Sequence, residues 1–120
     1  MENIVVWFDM PVKNLKRAAE FYRKVLGVEL QKLEQPAPMA FFPFGPGIAS
    51  GALVESREVS PSNQGTTVYL NGSKDLAGPL GKVEAAGGKV LQKKTAIGEH
   101  GFIAYFEDTE GNRVGLHSMY

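Results

Sequence analysis

The stretch NLKRAAEFYRKVLG, residues 14–27, decides the fold because it is the clearest helix in the chain and it recurs. Asn14 is a residue type that caps helix N-termini, and Gly27 can adopt the left-handed conformation that ends a helix. Apolar residues between them recur three and four positions apart, as on one helical face. DLAGPLGKVEAAGG, residues 75–88, repeats the order of cap, apolar residue and terminal glycine, although Pro79 predicts an irregular first turn. Two helices are therefore predicted at matching places in two halves.

Short strand candidates surround both helices in the same order. IVVWFDMPV precedes the first helix, which VELQKLE, MAFFPFG and IASGALVE follow. TTVYLNG precedes the second, which KVLQKKTAI, GFIAYFED and NRVGLHS follow. The chain thus predicts one α+β domain over 1–120, built from two βαβββ modules that form a curved mixed sheet around a cleft. Module one spans 1–56, a polar linker 57–64 and module two 65–120.

Composition limits the classes of function. The 120 residues carry 13 basic and 13 acidic side chains, so no positive excess favours nucleic-acid binding. The chain has no cysteine, which excludes disulfides and thiolate metal sites. The apolar run near the N-terminus stops at Asp9, and no run reaches the roughly 18 apolar residues of a membrane helix. We expect a cytoplasmic protein that acts on small molecules, with neither nucleic-acid nor membrane partners.

Alternation along the strands predicts which side chains face the cleft. Successive strand residues point to opposite faces, and the mainly apolar set suits the helix-covered face. That leaves Trp7 and Asp9 open on the first strand. Thr67 and Tyr69 are open on the strand before the second helix, and His117 is open on the last strand.

Two further assignments depend on strand register. In IASGALVE, alternation places Leu53 and Glu55 in the cleft. If Glu110 and Gly111 form the tip of a hairpin, Phe106 lies opposite Gly115, Ala104 lies opposite His117, and Phe106 faces the cleft. The acidic residues Glu107, Asp108 and Glu110 are predicted to form the turn instead of a metal site, with Asp108 capping it.

PVKNLKRAAEFYRKVLG, VEAAGGKVL and FEDTEGNRVGLHS, together with the repeated element order, resemble the vicinal oxygen chelate superfamily. This group includes glyoxalase I, extradiol dioxygenases, and fosfomycin and bleomycin resistance proteins, and the resemblance covers nearly the whole chain. It implies a glyoxalase/bleomycin resistance-like fold and a homodimer with shared clefts. It also implies that the GEHG loop, which holds His100, borders the cavity mouth.

Metal-dependent members of the superfamily carry His or Glu ligands at matched strand positions. The resemblance places those positions at Trp7, Gly51, Thr67 and Gly115. Indole, hydroxyl and glycine positions are not usual ligands for divalent cations. We therefore expect no cofactor and no standard metal site.

A displaced metal site stays open as an alternative, because Asp9, Glu55 and His117 share the predicted open face. They would make a divalent metal possible. His117 could equally be a hydrogen-bonded residue at a strand end, and His100 could be an exposed loop residue.

Three functions compete. The first is a binding protein whose cleft holds a small, partly apolar or aromatic molecule. The second is an enzyme, a glyoxalase-like lyase, an isomerase or a dioxygenase-like oxidoreductase, which uses a metal or uses His117 as a base with Asp9 or Glu55. The third is a structural dimer without ligand. The predicted ligand-binding set, with His117 also the catalytic candidate, is Trp7, Asp9, Phe42, Leu53, Glu55, Thr67, Tyr69, His100, Phe106 and His117.

Overall fold

The structure, a computed structural model, describes residues 2–34 and 37–120 and contains the predicted order of elements twice. The protein is α+β, with two four-stranded mixed sheets ordered β1-β4-β3-β2 and β5-β8-β7-β6. The outer pairs β1–β4 and β5–β8 are parallel, and the remaining pairs are antiparallel. The elements are β1 Trp7–Val12, α1 Leu15–Leu26, β2 Gln31–Leu33, β3 Met39–Phe41, β4 Ser50–Glu55, β5 Tyr69–Asn71, α2 Ala77–Leu80, β6 Lys89–Ala96, a 3-10 turn Gly98–His100, β7 Phe102–Glu107 and β8 Arg113–Ser118.

The first helix begins and ends where its sequence predicts. The side chain of Asn14 accepts a hydrogen bond from the backbone N–H of Arg17 at 2.9 Å. Gly27 has a φ of 69°, and its N–H donates to the carbonyl of Arg23. Both ends of α1 thus satisfy backbone groups that helix termini leave without partners.

The second helix is much shorter than the sequence predicts. It covers only Ala77–Leu80, and the chain continues in turns through Gly87. The prediction of a helix over 75–88 is wrong in extent. Two glycines, Gly78 and Gly81, and Pro79 lie in that stretch before Gly87, and these residue types disfavour helix propagation.

One hydrophobic core joins the two modules around α1. Phe21 and Tyr22 of this helix are almost fully buried. The Tyr22 ring lies 5.5 Å from the Phe42 ring of module one, and the Phe21 ring lies 5.8 Å from the Phe106 ring of module two. Because α1 contacts both sheets, it fixes how the modules sit relative to each other.

The hairpin between β7 and β8 has a register one residue different from the predicted one. Phe106 pairs with Val114, and Tyr105 pairs with Gly115. Asp108 closes the turn: its N–H donates to the carbonyl of Asn112, and its Oδ1 accepts from two backbone N–H groups of the turn. The loop therefore has three residues instead of two, and a shift by one residue moves every side chain to the other face.

The shifted register corrects one predicted ligand contact. Phe106 is fully buried in the core and does not face the open side. Tyr105 takes its place on the open face, opposite Gly115. Ala104 pairs with Leu116 and not with His117.

The face assignment for β4 is also wrong. Leu53 pairs with Met10 and belongs to the core, with no exposed surface. Glu55 lies two residues further on the same face, and its Oε2 accepts a hydrogen bond from the N–H of Leu15 at 2.9 Å. Glu55 thus caps the start of α1, where a carboxylate is favoured by the free N–H groups and the helix dipole.

The predicted structural role of the turn acids is supported by their contacts. Glu110 is buried and accepts hydrogen bonds from the N–H groups of Lys13 and Asn14, both at 2.9 Å, and from Arg17 Nε at 2.7 Å. The Oδ2 of Asp108 accepts from the hydroxyl of Tyr22 at 2.6 Å. The turn of module two therefore holds the first helix of module one.

None of the helices formed by the described residues is long and apolar enough to cross a membrane.

Candidate functional site between the two sheets

Two cavities lie between β1 and module two, and we call them together the groove: β5 lines the first, and the linker, Val68 and the start of β8 line the second. Phe8 of β1 lines both cavities. The first has a volume of about 470 Å³, and the second about 300 Å³. Such volumes fall at the lower end of the range for small-ligand sites. The first cavity is lined by Phe8, Leu26, Val28, Phe42, Pro43, Ala49, Ser50, Tyr69, Leu70, Asn71 and Ser73.

The first cavity has apolar walls and a polar rim. Phe42, a predicted ligand-binding residue, lines this cavity from the core, and only 6% of its surface is exposed. On the rim, Ser50 donates to the carbonyl of Pro43 at 2.8 Å, and the side chain of Asn71 accepts from the N–H of Ser73 at 2.8 Å. These contacts hold the two rim side chains in place.

Tyr69 forms the module-two wall of the first cavity and pairs with a tyrosine that sequence reasoning missed. Its hydroxyl is hydrogen-bonded to the hydroxyl of Tyr105. The Tyr69 ring lies against Gly115, where an added Cβ would be only 2.5 Å from ring carbons. The hydrogen bond with Tyr105 and partial burial raise the pKa of Tyr69, so its phenol stays neutral near pH 7.

Arg113 contacts Tyr105 and also lines the second cavity. Its guanidinium carbon lies 4.0 Å from the centroid of the Tyr105 ring, and its Nη1 donates to Thr67 Oγ1 at 2.7 Å. A guanidinium over an aromatic face is attracted by the ring quadrupole. Thr67, Tyr69, Tyr105 and Arg113 form what we call the phenol–guanidinium cluster. Thr67 and Tyr69 were predicted to lie on the open face. Tyr105 was not, because the predicted hairpin register placed Phe106 opposite Gly115 instead.

Trp7 and Asp9 lie on the exposed face of β1, as predicted. Trp7 Nε1 donates to Asp9 Oδ1 at 3.1 Å. The Trp7 ring meets the rings of Phe41 and Phe44 edge to face, at 5.6 and 6.0 Å. This aromatic group belongs to the first sheet, while Asp9 also lines the second cavity of the groove.

The two histidines meet through a backbone group. His117 Nε2 lies 2.7 Å from the carbonyl oxygen of His100. The His100 side chain is exposed in the 3-10 turn before β7. This contact corresponds to the hydrogen-bonded alternative for His117 and anchors the loop to β8.

The displaced metal site is not formed by the geometry. Glu55 lies on the core side and binds the N-terminus of α1, Asp9 accepts from Trp7, and His117 contacts a carbonyl. Within residues 2–34 and 37–120, no three His, Cys, Asp or Glu side chains are placed to share a metal ion. The same separation removes the predicted pairing of His117 with Glu55 as an acid and base.

The family's usual metal positions do not fit a cation either. Trp7, Thr67 and Gly115 lie on open faces, but they offer an indole, a hydroxyl and no side chain. Gly51 faces the core, against the Phe8 ring, and its open-face neighbours are Ser50 and Ala52. Divalent transition metals in proteins are held by imidazole, carboxylate or thiolate groups.

The chain resembles solved structures of the same fold. A hypothetical protein from S. aureus has a TM-score of 0.70 at 24% identity, over 94% of this chain and 95% of that chain. A glyoxalase/bleomycin resistance protein from Albidiferax ferrireducens T118 has a TM-score of 0.74 at 15% identity, over 97% and 98%. Glyoxalase I from Zea mays has a TM-score of 0.72 at 23% identity, over 94% of this chain but 45% of that chain. At these identities the likeness establishes the fold alone.

Curated protein sequences contain no match to this chain. A sequence model of the Glyoxalase/Bleomycin resistance protein/Dioxygenase superfamily, however, matches residues 4–116, which is nearly the whole chain. The match agrees with the double βαβββ order and with the two mixed sheets. The chain therefore belongs to the Glyoxalase/Bleomycin resistance protein/Dioxygenase superfamily.

Proposed function

We propose that this protein binds a small, partly apolar or aromatic molecule in the groove between its two sheets. The observation that carries the proposal is the first cavity, with its volume of about 470 Å³. Aromatic and aliphatic walls from both modules meet a few fixed polar groups there. That combination is typical of small-molecule sites.

The ligand's apolar part would contact Phe8, Leu26 and Phe42, which line the cavity from module one and the end of α1. Its polar edge would meet Tyr69 and Asn71 of β5. Burial of an apolar ligand surface supplies the main driving force, at about 25 cal/mol per Å². The polar rim would set the orientation of the ligand.

A neutral fluorescent probe, N-phenylnaphthylamine, tests this proposal. We expect its fluorescence to rise on binding and the Ala49→Phe variant to weaken binding about tenfold, because Ala49 is exposed and lines the cavity. Ala85→Phe is the matched control, since Ala85 is also exposed and lies outside both cavities. Failure of the wild-type protein to bind the probe, or equal binding by both variants, would reject the groove as the site.

We also propose that binding needs no metal. The residues at the family's metal positions supply no usual ligand, and the alternative ligands lie apart. Chelation with EDTA should therefore leave the probe affinity unchanged. Loss of binding after chelation, with recovery on adding a single divalent ion, would contradict this.

We further propose that the chain forms a homodimer. Ile4 and Val6 precede β1 and are 98% and 72% exposed, and Ile48 is 65% exposed. Val6 and Ile48 line one surface cavity together. Exposed apolar patches of this kind mark association surfaces.

Sedimentation equilibrium tests this assembly, with twice the 13.0 kDa chain mass expected for the wild type. Val6→Asp should shift the protein toward the monomer. Val59→Asp should leave the dimer intact, because Val59 is an exposed apolar residue of the linker. A wild-type monomer would reject the dimer without affecting the binding proposal.

A further inference from the structure

We propose that the groove's ligand carries a single carboxylate, which pairs with Arg113 at the second cavity. The inference rests on the proposed binding function and adds the charge of the ligand. Arg113 is the first residue of β8 and is partly buried. Partial burial of a charged side chain costs free energy unless other groups bind the charge.

The guanidinium is held in place before any ligand arrives. Its stacking on the Tyr105 ring, at 4.0 Å, fixes its plane, and its hydrogen bond to Thr67, at 2.7 Å, fixes its direction. An arginine restrained in this way loses little further conformational entropy when it binds a planar carboxylate. The contacts thus prepare Arg113 for a bidentate partner.

The protein itself supplies no anion to this cation in the part of the chain that the structure describes. The arginine ion pairs formed there are those of Arg17 with Glu110 and of Arg23 with Glu20. Glu107 pairs with Arg113 across the β7–β8 ladder but does not approach within ion-pair distance. A guanidinium has five N–H donors, and a single hydrogen bond to Thr67 leaves most of them available.

The second cavity provides room beside this cation. It has a volume of about 300 Å³, and Phe8, Met10 and Val68 give it apolar surface. Ser60, Ser62, Gln64 and Thr66 add neutral polar groups from the linker and the start of module two. An aromatic or aliphatic body with one charged end matches this lining.

The charge balance favours a carboxylate over a dianion. Arg113 is the cation that lines the cavity, and Asp9 lines it as well. Asp9 is occupied by Trp7 Nε1 and forms no ion pair with Arg113. Its negative charge nevertheless repels a second negative charge on the ligand, so a phosphate dianion is disfavoured.

Cinnamate and its neutral amide, cinnamamide, are matched probes because they share shape and apolar surface. By isothermal titration calorimetry, we expect wild-type protein to bind cinnamate about tenfold more tightly than cinnamamide. Arg113→Gln should abolish the preference and leave the cinnamamide affinity nearly unchanged. Arg57→Gln, which removes an exposed linker arginine, should keep it.

Thr67→Val is a second variant, which retains Arg113 but removes the acceptor that directs it. It should reduce the preference for cinnamate about threefold. This variant tests the inference if circular dichroism shows that Arg113→Gln does not fold. Equal binding of acid and amide by the wild type, or a preference that survives both variants, would overturn the inference. If N-phenylnaphthylamine still binds in the groove, the binding proposal stands without the carboxylate; if none of the three probes binds, both proposals fall.

Discussion

Glu110 and Arg113 lie three residues apart at the β7–β8 turn, carry opposite charges and have opposite surroundings. Glu110 is buried, and its carboxylate accepts five hydrogen bonds, from two backbone N–H groups, Arg17 and Thr109. Arg113 lies on the open face, where its side chain donates to Thr67 and stacks on Tyr105. The carboxylate of Glu110 thus uses its acceptors within the fold, whereas the guanidinium of Arg113 keeps N–H donors available.

The contacts of the two side chains separate structural from functional charges in this chain. A carboxylate that accepts hydrogen bonds from two elements holds those elements together, and removing it leaves buried donors without partners. A cation that is oriented by its neighbours but keeps free donors contributes little to stability and can bind a ligand. Glu110 is of the first kind, because its hydrogen bonds hold the β7–β8 turn against the start of α1.

The largest expected effect comes from Glu110→Ala. We predict a loss of about 3 kcal/mol in the free energy of unfolding, because Arg17 and the backbone N–H groups at the start of α1 lose their acceptor. Arg113→Gln should cost less than about 1 kcal/mol, since it breaks one partly exposed hydrogen bond. Urea unfolding of both variants measures the contrast, and equal losses would contradict it.

The same carboxylate should make stability depend on pH. Burial raises the pKa of Glu110, but hydrogen bonds from Arg17, two backbone N–H groups and Thr109 outweigh it and lower the pKa from 4.5 to about 2. The unfolded chain therefore takes up a proton first, so the stabilisation is present above pH 4.5 and is lost as the pH falls toward 2. We expect a contribution of about 2 kcal/mol, reduced by the half-exposed Arg17.

Urea unfolding at a series of pH values measures this contribution. Glu110→Gln should flatten the pH dependence over that range. The same slope in wild type and variant would show that other carboxyl groups cause it.

A smaller loss of stability is expected at Gly115, which lies on β8 two residues after Arg113. Gly115→Ala would place a Cβ 2.5 Å from the Tyr69 ring and displace it. We predict a loss of about 1.5 kcal/mol in stability and weaker probe binding in the groove. Gly78→Ala is the control, because nothing lies within 4 Å of its added Cβ, and it should be neutral or slightly stabilising. Unchanged probe binding in Gly115→Ala would separate Tyr69 from the site.

Much of the fold could be predicted from local signals. Asn14 and Gly27 defined α1, because capping and a positive φ depend on residue type and short-range geometry. Short apolar runs bounded by Gly and Pro predicted the eight strands that the described residues form, and alternation along them predicted the open positions of Trp7, Asp9 and Tyr69. The cytoplasmic location and the division into modules at 56 and 65 stay predictions.

Register was where sequence reasoning failed. Alternation separates two faces of a strand but does not say which faces the core when both are apolar, as in β4. The β7–β8 loop gained a residue because the Asp108 side chain binds the N–H groups of Glu110 and Asn112. That one residue exchanged Phe106 for Tyr105 on the open face.

The element order, the ends of α1 and the superfamily can be predicted from the residues alone, because each depends on residues close together in the chain or on a shared pattern. The candidate site depends on the packing of distant parts of the chain. Phe8, Tyr69 and Arg113 border the groove only because α1 and the Glu110 contacts bring two modules together. Contacts between residues more than ninety positions apart leave no periodic trace in a single sequence, so the oriented Arg113 beside its phenols was visible only in the folded chain.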